Sequence, residues 1–118
     1  MAYADGFVIP ILKKNVDAYR RIARKAGKVW REHGALDYYE CIGDDLAVPA
    51  QFTGFGKLAG LKKNETVVFA WIVYKSKAHR DRVNAKVMKD PRLQIPPKSI
   101  PFDHARMAFG GFKVIVKA

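Results

Sequence analysis

The sequence predicts an α+β fold with the element order β-α-β-β-α-β. Three observations predict it. Residues 66–75, TVVFAWIVYK, form an almost unbroken apolar run of strand length. Apolar residues at Val16, Tyr19, Ile22, Ala23, Ala26, Val29 and Trp30 recur at the three-and-four spacing of an amphipathic helix. Further strand-like and helix-like patterns flank these two segments in the order that a split β-α-β unit requires.

The elements follow in chain order. Residues 2–12, AYADGFVIPIL, read as the first strand. Asn15 then stands where a helix N-cap belongs, its side-chain oxygen available to a free N–H of the first turn. The helix that follows runs to His33, and Gly34 can supply a left-handed C-terminal cap. Its other face carries Arg20, Arg21, Arg24, Lys25, Lys28 and Arg31, which should lie in water. Residues 36–43 read as a second strand. Ser76 can cap a second helix that runs to about Asp90, where Pro91 ends it. A connection with Pro96, Pro97 and Pro101 leads to a last strand over 106–117, expected to bulge at Gly110 and Gly111. This is a ferredoxin-like βαββαβ subunit: an antiparallel sheet with two helices on one face. Residues 1–118 are expected to form one domain.

Two features point beyond one chain. The stretch from about residue 44 to 64 is long for a loop and carries Phe52, Phe55, Leu58 and Leu61 of its own. Val67 to Tyr74 is apolar on both strand faces, whereas an antiparallel sheet with one wet face should alternate. Two helices cover one face only. A second copy packed sheet to sheet would close the other, so a homodimer is expected.

Composition narrows the class. The 118 residues are 49% hydrophobic and 28% charged, as in folded globular chains. No stretch approaches the roughly 20 apolar residues of a membrane span, and the N-terminus lacks the basic start of a signal peptide. The single cysteine, Cys41, cannot form an internal disulfide, so a cytoplasmic location is expected. The net charge of +11 allows weak, non-specific attraction to nucleic acid.

The blocks DGFVIPILKKNVDAYRRIARKAG (5–27), KVWREHGALDYYECIGDDL (28–46), ETVVFAWIVYKSKAHRDRVNAKVMKDPRL (65–93) and PFDHARMAFGGFKVIV (101–116) resemble the YbaA-like family of bacterial proteins of unknown function. The resemblance implies a place in the dimeric α+β barrel superfamily, in which a ferredoxin-like subunit closes its sheet against a partner's. It implies no particular activity.

The chemical signals are sparse. An RNA-recognition motif shares this element order, and Phe69 to Tyr74 approach its third-strand pattern. The basic residue and glycine of that pattern are missing, and Val67 and Val68 stand instead. Phe69 and Trp71 are therefore expected in a core or a dimer contact rather than as exposed stacking platforms. His33, Cys41, His79 and His104 have no metal-ligand spacing, so no metal and no cofactor is expected. The run His79-Arg80-Asp81-Arg82 reads as a charged helix face, from which His79 or Asn84 could reach a cavity under the sheet. Some superfamily members oxidise aromatic or quinol substrates without a cofactor, or bind haem, between sheet and helices. The analogy implies a pocket lined by Trp30, His33, Glu40, Trp71 and His79, for binding or oxidising a small aromatic ligand. The alternative is a nucleic-acid-binding module that uses the basic face of the first helix.

Overall fold

In the computed structural model, which describes residues 1–118, the two most apolar strands pair at the centre of the sheet. β1 (Tyr3–Leu12) runs antiparallel to β3 (Glu65–Tyr74), with Tyr3 opposite Tyr74 and Leu12 opposite Glu65. β2 (Asp37–Ile42) adds to β3, and β4 (Ala108–Lys113) adds to β1. The order β2-β3-β1-β4, antiparallel throughout, is that of the ferredoxin-like fold.

α1 (Val16–Glu32) and α3 (Lys77–Lys89) cover one face. Val68, Ala70, Ile72 and Tyr74 of β3 point into this layer and are buried. Val29 of α1 and Val83 and Val87 of α3 close over Ile72 and Tyr74, each at most 2% exposed. Burial of such side chains contributes roughly 1.5–3 kcal/mol apiece as an upper bound. The six cations of α1 are all exposed, as its two-sided pattern requires.

The opposite face is closed only at one end. Residues 43–64 leave the sheet and return across it, forming the short helix α2 (Phe55–Ala59), which ends at Gly60 in the left-handed conformation. Phe55 packs against Phe69, with ring centroids 5.6 Å apart. Val67 and Pro10, opposite each other in register, are buried there. Further along, Phe69 is 42% and Tyr39 52% exposed. The expectation of burial on both strand faces thus holds within one chain for Val67 only.

Three other expectations are corrected. Asn15 makes no side-chain cap, because the 3₁₀ turn Lys13–Asn15 leads straight into the helix; its Nδ2 donates to the Pro101 carbonyl at 3.3 Å instead. Gly110 and Gly111 form no bulge, since they pair in register with Gly6 and Asp5; a Cβ on Gly111 would overlap the Tyr3 ring. The last strand stops at Lys113 rather than 117. The other caps behave as expected. Gly34 takes φ +117° after α1, and Ser76 Oγ accepts the His79 N–H at 3.1 Å.

The proline-rich connection is an anchored cover. Its 3₁₀ turns lie at Pro91–Leu93, Pro97–Ser99 and His104–Arg106. Asp90 accepts from Arg92 and, at 2.8 Å, pairs with His33, tying the ends of α1 and α3 together. Arg106 forks onto Glu65 at 2.7 and 2.8 Å and donates to the Gly60 carbonyl at 2.9 Å. Those Arg106 hydrogen bonds, with the Lys62 N–H, lower the Glu65 pKa from 4.5 to about 2. A lowered carboxylate stabilises the fold above its unfolded pKa, and the contribution is lost as pH falls from about 4.5 toward 2. Asp90, held well below the ordinary range by Arg92 and His33, acts in the same direction. The melting temperature should therefore fall between pH 5 and pH 2.5, and less steeply in Arg106→Gln. Equal slopes for the two proteins would refute the role of this tether.

A candidate ligand cavity beneath the first helix

Small side chains leave space between α1 and the sheet. Ala23 and Ala26 on the helix face Ala70 on β3, and a cavity of about 190 Å³ remains among them. An engineered apolar cavity of about 150 Å³ holds a benzene ring. Ile9, Ile72 and Trp30 supply further apolar wall. Phe102, from the proline-rich cover, meets Tyr19 edge-on at 5.8 Å and closes one side.

One carboxylate stands in this apolar wall. Glu40 of β2 accepts a hydrogen bond from the Tyr19 hydroxyl at 2.7 Å and another from the Tyr38 hydroxyl at 2.6 Å. Tyr38 and Glu40 are two apart on a strand and so share its inward face; Tyr19 reaches them from α1. Burial raises the pKa of both tyrosines well above the ordinary phenol value, and the Glu40 charge raises it further. Both therefore remain protonated donors at any physiological pH. Gly27 makes the arrangement possible. A Cβ there would stand 2.8 Å from the Tyr38 ring, so only glycine lets α1 approach this closely.

Tyr19, Ala23, Tyr38 and Glu40 also form one wall of a wider groove, about 420 Å³, open between α1 and the β2 edge. Arg20, Arg24, Lys28 and Arg31 border it, at helical spacings of four, four and three. The site thus joins an apolar chamber, a carboxylate held by two hydroxyls, and a cationic groove that shares their wall.

Residues 2–104 match a family described as "Protein of unknown function (DUF1428)". The chain belongs to that family. Proteins named "Uncharacterized protein YbaA" from Escherichia coli K12, Escherichia coli O157:H7 and Shigella flexneri are each 43% identical to it over 116 residues, covering 98% of both chains. An uncharacterized NIPSNAP domain protein from Burkholderia xenovorans has a similar fold, with a TM-score of 0.58 at 12% identity over 98% of this chain and 99% of that one.

In this DUF1428 chain the residues expected from sequence to line a pocket are dispersed. Glu40 and Trp30 line the cavity together. The Trp30 indole N–H is turned away from it, donating to the Tyr74 hydroxyl at 3.1 Å and to Asn84 at 3.3 Å. Trp71 lies on the opposite face of the sheet, stacked on Tyr39 at 5.1 Å. His33 is engaged with Asp90 at the end of α1. His79, in the first turn of α3, accepts the Lys75 N–H at 3.0 Å and meets Tyr74 edge-on. Burial, and then Lys75, Arg82 and Lys86, lower its pKa. The four His and Cys residues stand apart: Cys41 is exposed on the outward face, and His104 packs on Phe102. Tyr19 and Tyr38 join the site although the sequence expectation did not include them. The readable signal was Tyr38-x-Glu40 on one face of a strand, opposite a helical tyrosine.

Proposed function

We propose that this chain works as a homodimer that binds a small aromatic ligand between α1 and the sheet. The carrying observation is the apolar cavity with the Glu40 carboxylate in its wall. Each Glu40 oxygen accepts one tyrosine hydroxyl and keeps a second lone pair. A ligand hydroxyl or N–H can donate to that lone pair while its ring rests on Ala23, Ala26 and Ala70. Such a pairing of apolar wall and few polar groups is typical of small-molecule sites. The exposed aromatic residues on the outward sheet face support the homodimer. No helix is long and apolar enough to cross a membrane, which supports action away from the bilayer interior.

Phenol is the simplest probe. Calorimetric titration should show it binding to the parent chain in the millimolar range or tighter. Glu40→Gln should weaken it about tenfold, the scale of one charge-assisted hydrogen bond. Ala26→Leu should abolish binding by filling the chamber. Phenol binding unchanged in both variants, or absent from the parent, would overturn the reading.

The exposed cations of α1 support a second reading, in which the chain binds nucleic acid. Phosphate contacts weaken steeply with salt, so sequence-selective binding that survives physiological salt would favour it.

A further inference from the structure

The groove outside the cavity bears on the charge of the ligand. Arg20, Arg24, Lys28 and Arg31 lie on one side of α1 and border one concavity. Two of them are engaged within the chain: Arg20 with Asp17, and Arg31 with the Leu36 carbonyl and Asp37. Arg24 and Lys28, at the centre of the row, have no carboxylate within 4.0 Å. The one carboxylate in the shared wall, Glu40, is hydrogen-bonded to two tyrosines and to no cation. The groove therefore presents two unneutralised cations directly outside an apolar chamber. Clefts lined by one sign of charge concentrate the field and attract the opposite sign.

We infer that the ligand is a small hydroxyaryl anion: a ring with a hydroxyl or N–H group directed to Glu40 and a carboxylate or phosphate directed to Arg24 and Lys28. The inference rests on the reading of the cavity as a ligand site and adds a charge requirement to it. Arginine and lysine serve different parts of the recognition. The guanidinium of Arg24 can fork onto two oxygens, whereas Lys28 contributes a movable point charge. The ring, resting on Ala23, Ala26 and Ala70, links the two polar ends. A neutral ring would use only the chamber. A nucleic-acid strand would use only the cations, since its backbone phosphates cannot follow a base into a chamber of about 190 Å³.

The probes are 4-hydroxybenzoate and its neutral counterpart 4-hydroxybenzamide, titrated calorimetrically into the whole chain at low and at physiological salt. The acid should bind about tenfold or more tightly than the amide at low salt, with a smaller preference at the higher salt. The double variant Arg24→Gln/Lys28→Gln alters two exposed residues and should fold normally. It should bind both compounds equally, at the amide's affinity, while Ala26→Leu should bind neither. Equal binding of acid and amide by the parent chain would overturn the charge requirement and leave the cavity reading standing. Acid binding that persists in Ala26→Leu would be ion pairing at the surface and would overturn both. So would failure of both compounds to bind the parent. Displacement of the acid by a single-stranded oligonucleotide at physiological salt would assign the cations to nucleic acid and overturn the inference.

Discussion

Arg80→Ala should destabilise the chain by about 3–5 kcal/mol, the usual cost of removing one partner of a buried ion pair. Arg80 Nη1 donates to Asp5 Oδ1 at 2.7 Å. Asp5 is only 5% exposed, and the Arg80 side chain is 20% exposed and rests over the Tyr3 ring. Burial raises the Asp5 pKa, and the charge of Arg80 opposes that rise. Without the guanidinium, Asp5 must either stay ionised without its cation or take up a proton. The pair also places α3 on β1, so its loss should be felt in the packing of Val83 and Val87. Denaturant unfolding of Arg80→Ala checks the magnitude. The double variant Asp5→Asn/Arg80→Met should recover much of the loss, because it leaves no lone charge behind. A single variant within about 1 kcal/mol of the parent would show that the pair is not a structural link.

The second large effect concerns assembly. Trp71 stands on the outward face between Tyr39 and Phe69, with ring centroids 5.1 and 5.6 Å away. α2 covers the Val67 end of this face and reaches Phe69 through Phe55, short of Trp71 and Tyr39. Phe112 of β4 adds a further ring that is 61% exposed. A contiguous apolar patch of this kind marks an interaction surface. Sedimentation at micromolar concentration should show the parent at twice the monomer mass and Trp71→Glu at the monomer mass. Trp71→Ala should cost the dimer about 3–5 kcal/mol through the void it leaves. A parent chain that sediments as a monomer would sink the homodimer. A stable Trp71→Ala dimer that has lost only single-strand binding would turn the face into a stacking platform instead.

The fold was legible because its signals are local. The periodicity from Val16 to Trp30, the apolar run ending at Tyr74 and the caps at Gly34 and Ser76 each depend on neighbours a few residues away. Asn15 misled for the same reason. Locally it is a good cap, but a carbonyl 86 residues away, at Pro101, is the partner it bonds. The glycine pair in β4 suggested a bulge, while its actual constraint is the Tyr3 ring of another strand.

The candidate site was legible only in fragments, Glu40 and Trp30. His33, Trp71 and His79 are chemically plausible pocket residues that the fold sends elsewhere. Trp71 is one residue out of phase with Ile72, and on a strand that phase alone selects the opposite face.

By itself the sequence determined the element order, the sheet class, the exposed basic face of α1 and the surplus of apolar surface on β3. Each follows from periodicity and composition. Only the tertiary structure decided that Tyr19, Tyr38 and Glu40 converge, that facing alanines leave a chamber, and that Arg80 closes on Asp5. The partners in these contacts come from different elements. Their meeting depends on strand register and on the distance of α1 from the sheet, which packing of the whole chain sets and no short window encodes.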